Sequence, residues 1–167
     1  MEGSPGVFAI RPAQPGDAEA IGEVFLEAAV AAWSSFLGAE RVESERPPVQ
    51  EWIGDGMLVA GAGDAIVGFA CTRPEDEGRG VGMLYLLYTR PSIWGRGAGR
   101  ALMDAALRAL RTQGCREAVL WTEERNARAR HVYEAAGWQL DGAVRERDWR
   151  GAPLRELRYR RSLDPAA

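Results

Sequence analysis

The chain has 167 residues, 46% hydrophobic and 27% charged, which excludes a disordered chain and a chain built wholly of membrane spans. All 21 basic residues are arginine and 24 residues are acidic, so the net charge of −3 argues against a basic nucleic-acid binder. That total hides a split between residues 1–80, with 14 acids and 5 arginines (net −9), and residues 81–167, with 10 acids and 16 arginines (net +6). The two halves either meet differently charged ligands or carry ordinary solvated faces.

Residues 7–11 (VFAIR) read as a short strand broken by Pro12. Asp17 is placed to cap a helix with Ile21, Val24, Phe25, Ala28 and Phe36 at helical spacing. Residues 37–46 are polar and irregular, and PPVQEWIGDG reads as a short helix ended by Gly54 or Gly56. MLVAGA and AIVGFACT flank a tight Gly-Asp turn and predict a hairpin over 57–72, followed by a charged loop over 73–80. GMLYLLYT is nearly all apolar, as in a central strand covered on both faces. Strict alternation puts Tyr85, Leu87 and Thr89 on one side and Leu84, Leu86 and Tyr88 on the other. A helix over 98–113 buries Leu102, Met103, Ala106, Leu107 and Leu110, with Gly114 just past its end. EAVLWT is a further buried strand, and Asn126 can cap a helix through Ala136. AVRERDW and LRELRYRRSL, joined at RGAP, predict a hairpin whose alternating arginines face solvent. The order of elements is that of one α/β domain with a mixed sheet.

Several chemistries are disfavoured by what the chain lacks. Cys71 and Cys115 give neither a disulfide framework nor a zinc spacing, and His131 is the only histidine, so no metal site is expected. No serine sits in a G-x-S-x-G elbow. No signal peptide and no uninterrupted run of about 18 apolar residues is seen, so the expected location is cytoplasmic, without a membrane partner.

The most informative segment is the turn after the apolar strand, where Gly95, Gly97 and Gly99 open a helix. Glycines admit close approach to backbone N–H groups, and a helix N-terminus adds free donors and partial positive charge. Together with Arg96 and Arg100 they suit an anionic group such as phosphate, the alternative being a glycine-rich helix cap without a ligand. A Walker loop needs a lysine the chain does not have, and G-x-G-x-G is not the dinucleotide pattern. In the next helix Asn126 and Tyr133 lie seven residues apart on one face. By themselves they read first as an N-cap and a core tyrosine. Asn126 can also bond an extended ligand, and the Tyr133 hydroxyl suits a proton donor.

Together the two segments resemble the GNAT family of acyl-CoA-dependent N-acyltransferases. The first matches the family's [QR]-x-x-G-x-[GA] at residues 94–99, and the second matches N-x-x-A-x-x-x-Y-x-x-x-G-[FW] at Asn126, Ala129, Tyr133, Gly137 and Trp138. The resemblance spans residues 7–163, most clearly 83–138, and implies a single domain over 1–167 with a mixed, mostly antiparallel sheet flanked by helices. It implies acetyl-CoA as cosubstrate and no metal. Leu87, Tyr88 and Thr89 would pair with the pantetheine arm. Trp94, Gly95, Arg96, Gly97, Ala98, Gly99 and Arg100 would hold the pyrophosphate. Asn126 would contact pantetheine, and Tyr133 would protonate the leaving thiolate. Trp94 stands where relatives have arginine or glutamine. No glutamate lies inside the two strands where relatives often place a general base, so Glu123, with Glu124 beside it, is the nearest candidate.

The implied reaction is direct acetyl transfer to a primary amine of a small molecule or peptide, which needs positioning and charge stabilisation more than a covalent enzyme intermediate. An acyl-CoA-binding module without catalysis is the alternative, and an RNA-binding surface on GRGAGR is a third, disfavoured by the acidic total. Relatives often form homodimers. Trp33, Phe36, Trp52, Tyr85, Trp121 and Trp149 are the aromatics on the implied acceptor side, expected mostly in the core, and Glu40, Glu43, Glu45 and Glu51 either attract a cationic amine or form a solvated face.

Overall fold

The computed structural model describes residues 7–76 and 80–164. Its strands are β1 (Ala9–Pro12), β2 (Met57–Ala62), β3 (Ala65–Asp76), β4 (Val81–Thr89), β5 (Glu117–Glu123), β6 (Gln139–Trp149) and β7 (Ala152–Ser162). The helices are α1 (Ala18–Leu37), α2 (Ala39–Glu43), α3 (Val49–Trp52), α4 (Ala98–Thr112) and α5 (Ala127–Ala135). All strands join one sheet in the order β1-β2-β3-β4-β5-β7-β6, antiparallel except for the β4–β5 pair. This is the mixed α/β sheet that the sequence led us to expect.

Helix α4 buries Leu102, Met103, Ala106, Leu107 and Leu110 on one face of the sheet, with Ala70, Leu84, Leu120, Trp138 and Tyr159. Each large apolar side chain contributes about 1.5–3 kcal/mol by leaving water. Two glycines let α4 come close. A Cβ at Gly82 would stand 2.5 Å from Leu110 Cδ2, and one at Gly68 would meet Thr89 Cγ2 at 2.8 Å and Leu102 Cδ1 at 2.9 Å.

Helix α1 covers the other face, placing Ile21, Val24, Phe25 and Ala29 against Met57, Val59, Phe69 and Cys71. With the turn before it, Pro15–Leu37 is long and apolar enough to cross a membrane, although Glu19, Glu23 and Glu27 interrupt it. Its apolar stripe packs on the sheet instead, and Arg90 at the end of β4 ties it down by pairing with Glu23 and Glu27. Asp17 precedes α1 but does not cap it. Its carboxylate accepts from Gln14 N–H at 2.8 Å and from Arg11 at 2.7 Å, and the guanidinium holds its pKa below the ordinary carboxylate value.

Four local readings change. Residues 39–43 form the short helix α2, inside a stretch read as irregular. β3 continues through Asp76, because Arg73, Pro74 and Asp76 still pair with β4; residues 77–79 of the expected loop lie outside the described residues. Strict alternation fails in β4. Cys71 faces Leu86 but Thr72 faces Leu84, so Tyr85 is an extra residue, a β-bulge. Leu84 and Leu87 therefore share the α4 side, while Leu86 and Tyr88 face α1. Arg145 and Arg147 of the last hairpin do not simply face solvent but turn onto Glu156.

Candidate active site

β4 and β5 pair at only three positions, Val81–Glu117, Gly82–Ala118 and Met83–Val119. Beyond them β4 stays on β3 through Thr89, and β5 stays on β7 through Glu123. The two strands therefore part, and the outer stretch of β4 loses its partner on that side. A cavity of about 580 Å³ occupies the gap, a size suited to a small molecule. It draws its lining from both faces of the sheet. Leu87, Val132 and Tyr133 border the α4 side, while Trp33, Leu86, Tyr88 and Trp149 border the α1 side.

One end is built by the turn from β4 into α4. Gly95 and Gly97 have φ values of +79° and +94°, and nothing lies within 4 Å of where their Cβ atoms would be. That is backbone other residues rarely adopt, next to open space. The first helical bond runs from Ala101 N–H to the Gly97 carbonyl at 2.9 Å. The N–H groups of Ala98, Gly99 and Arg100 have no acceptor among the described residues, and all three residues line the cavity. Arg96 differs from its neighbours. Its N–H donates to Ile93 O at 3.2 Å, and its side chain is exposed, outside the lining.

Trp94 donates from Nε1 to the Thr89 carbonyl at 3.1 Å, so its indole closes the end of β4. The Arg128 guanidinium lies 3.9 Å over that indole ring. Burial lowers the Arg128 pKa from its ordinary value, and the group stays charged at neutral pH. A cation thus stands beside the glycine turn, on α5 rather than on the turn itself. Sequence reading missed it because the pairing joins residues 34 positions apart.

Asn126 caps α5 as expected, its Oδ1 accepting from Ala129 N–H at 3.1 Å, and it lines the cavity. Tyr133 also lines the cavity, packed edge-on to Trp138. Its hydroxyl has no hydrogen-bond partner among the described residues, and burial pushes its pKa up to about 12. The buried Tyr88 hydroxyl is pushed higher still, first by burial and then by Tyr133 and Glu156, with Arg147 opposing. Tyr88 thus stands electrostatically between the α5 side and the last hairpin.

Glu123 is buried and lines the cavity. Arg125 holds both its oxygens, by its backbone N–H at 2.6 Å and its Nε at 2.7 Å. Glu124 lies outside the lining and pairs with Arg155. A second buried carboxylate, Glu156, also lines the cavity and escaped the sequence reading. The signal was present. In strand β7 it occupies the same alternating face as the buried Ala152 and Leu154, a charge where an apolar residue belongs. Its Oε2 accepts from Arg145 Nε at 2.5 Å and lies 3.0 Å from Arg147 Nε.

Of the six aromatics considered, Trp33, Phe36, Tyr85, Trp121 and Trp149 line the cavity rather than serving the core alone, while Trp52 packs on Phe25 and Phe69 away from it. Glu40, Glu43, Glu45 and Glu51 do not line it. Among the described residues no cluster of three or more His, Cys, Asp or Glu is placed to hold a metal.

The sequence model of the Acetyltransferase (GNAT) family matches residues 25–138, more than half the chain, and the stretch contains both the glycine turn and α5. The chain belongs to the GNAT acetyltransferase family. Solved structures agree on the GNAT fold. The PaiA N-acetyltransferase of Thermoplasma acidophilum, crystallised with coenzyme A, superposes with a TM-score of 0.77 at 18% identity, covering 93% of this chain and 99% of that one. YncA of Salmonella typhimurium, a putative acetyltransferase crystallised with acetyl-CoA, gives 0.68 at 22% identity, covering 97% of each chain. The ribosomal-protein-S18-alanine N-acetyltransferase of Escherichia coli gives 0.69 at 18% identity, covering 96% of this chain and 97% of that one. No curated protein sequence matches this GNAT chain.

Proposed function

We propose that this protein transfers an acetyl group from acetyl-CoA to a primary amine by direct attack. The observation that carries the reading is the cavity between the parted β4 and β5, with unpaired helix N–H groups at one end and the free Tyr133 hydroxyl along it. The fit to a pyrophosphate rests on the glycine turn, whose open space a Cβ would fill. Ala98, Gly99 and Arg100 would donate to it through the backbone, with Gly95 and Gly97 giving access. Arg128, held on Trp94, adds the cation that Trp94 itself lacks. Leu87, Tyr88 and Thr89 offer a strand edge to the pantetheine amides, and the Asn126 side-chain N–H donates beside them.

Acetyl-CoA, when bound, supplies an activated thioester. Tyr133 Oη holds a proton at neutral pH, because its pKa is pushed up to about 12. A free thiol ionises near 8.5, roughly three units lower, so the hydroxyl acts first as a hydrogen-bond donor to the departing sulfur. Glu123 is proposed to take the amine's proton. Arg125 occupies two of about four acceptor positions on that carboxylate, which leaves capacity for a water or the amine itself. The packing of α1 against the sheet supports a helix that serves the core rather than a membrane, and a cytoplasmic place of action remains part of the proposal.

That grip of Arg125 on Glu123 also favours a second reading, a module that binds acyl-CoA without turning it over. Release of coenzyme A, measured over a panel of amines for wild type and Tyr133→Phe, separates the two. Turnover that falls in the variant supports the transferase. Tight acetyl-CoA binding with no turnover of any amine supports the module.

A further inference from the structure

The acceptor end of the cavity does not have the electrostatics of a site for a polyamine. The acidic run of the N-terminal half lies outside it, and Glu123 is matched by Arg125. What remains is Glu156 with two guanidiniums on one oxygen, Arg145 and Arg147, both in the lining. Two cations against one carboxylate leave an excess positive charge at the wall. Both arginines engage Glu156 through Nε, and neither has its terminal N–H groups bonded to an acceptor among the described residues. The Arg145 guanidinium also lies 4.4 Å over the Trp121 ring. The residues i and i+2 of strand β6 place both forks on one side of the strand. Trp33, Trp121 and Trp149 supply apolar wall beside them.

We infer that the acceptor is a small amino acid-like molecule, whose carboxylate docks on the Arg145–Arg147 pair while an apolar or aromatic side chain lies against the tryptophans. The inference deepens the transferase reading and rests on it for the reaction, though not for binding. A guanidinium fork matches a carboxylate with two parallel hydrogen bonds, and Glu156 holds the pair pre-oriented for it. A second ammonium group would meet the excess positive charge and be repelled.

The test compares phenylalanine, phenylalanine amide, phenethylamine and spermidine as acceptors, for wild type and the double variant Arg145→Gln/Arg147→Gln. Binding of each amine to the protein–coenzyme A complex is measured alongside turnover by calorimetry, and acetyl-CoA binding reports folding. The expected result is a kcat/KM and an affinity for phenylalanine at least about tenfold above those of the amide and the decarboxylated amine. The acid-to-amide ratio should collapse towards one in the double variant, with acetyl-CoA affinity kept. An amide or polyamine used as well as the acid would overturn the inference while leaving the transferase intact. So would a ratio that survives in the double variant. If no amine turns over, the transferase reading fails, and selective binding of the acid by wild type still upholds the carboxylate site, whereas its absence overturns it.

Discussion

At the residue scale, Tyr133 combines a free hydroxyl, a position on the cavity wall and a pKa pushed up to about 12 by burial. Tyr133→Phe should lower kcat by roughly 10²-fold or more while acetyl-CoA affinity, read by calorimetry, stays within a few-fold. The raised pKa has two consequences for pH. The hydroxyl keeps its proton far above neutrality, so no alkaline loss of activity should arise from it below pH 11 or so. Folding also favours its protonated form, so its contribution to stability is complete below the unfolded value of 10.0 and is lost as pH rises through about 12. Denaturant melts of wild type and Tyr133→Phe should diverge only in that window. Glu123→Gln should weaken turnover with acetyl-CoA affinity kept, and an unchanged kcat would transfer the base role away from Glu123.

At the scale of elements, the site depends on how closely α4 approaches the sheet. Gly68 sits where a Cβ would press on Leu102 of α4 and on Thr89 and the Tyr88 carbonyl, the last two belonging to residues that line the cavity. Gly68→Ala should cost about 1–3 kcal/mol and lower Tm by several degrees, with acetyl-CoA binding weakened in step. Gly97→Glu works differently. It places bulk and negative charge at a φ of +94° in the glycine turn, and on the proposed reading should abolish acetyl-CoA binding. The glycine turn, the α4 stripe and the Asn126 cap were legible in the sequence because each is a local pattern, complete within about fifteen residues. The β4 bulge was not, since the extra residue at Tyr85 is defined only by its register against Cys71 and Thr72 on another strand. The parting of β4 from β5 was hidden for the same reason. Arg128 on Trp94, and Arg145 with Arg147 on Glu156, join separate elements, and no spacing announces such pairs. Trp94, which stands where relatives have arginine or glutamine, is in the structure the platform for another cation.

At the scale of the whole molecule, the charge split acquires a location. The arginine-rich half supplies the glycine turn, α5 and the last hairpin, whereas the acidic run of the other half stays outside the cavity. Acetyl-CoA should raise Tm by several degrees at concentrations well above its Kd, since only the folded chain offers the turn. Its affinity should fall as salt is raised from 50 to 500 mM, because exposed arginines such as Arg100 are screened over a shorter distance. The chain has six tryptophans, and Trp33, Trp94, Trp121 and Trp149 border the cavity. Their distribution gives the protein a built-in optical signal. Trp94 lies beside the glycine turn, under Arg128, and the other three line the cavity away from that pair, so ligands seated near the turn and ligands seated near the others should alter emission from different indoles. Single Trp→Phe replacements would then let the order in which the two substrates arrive be followed in a stopped-flow fluorimeter, with no dye attached.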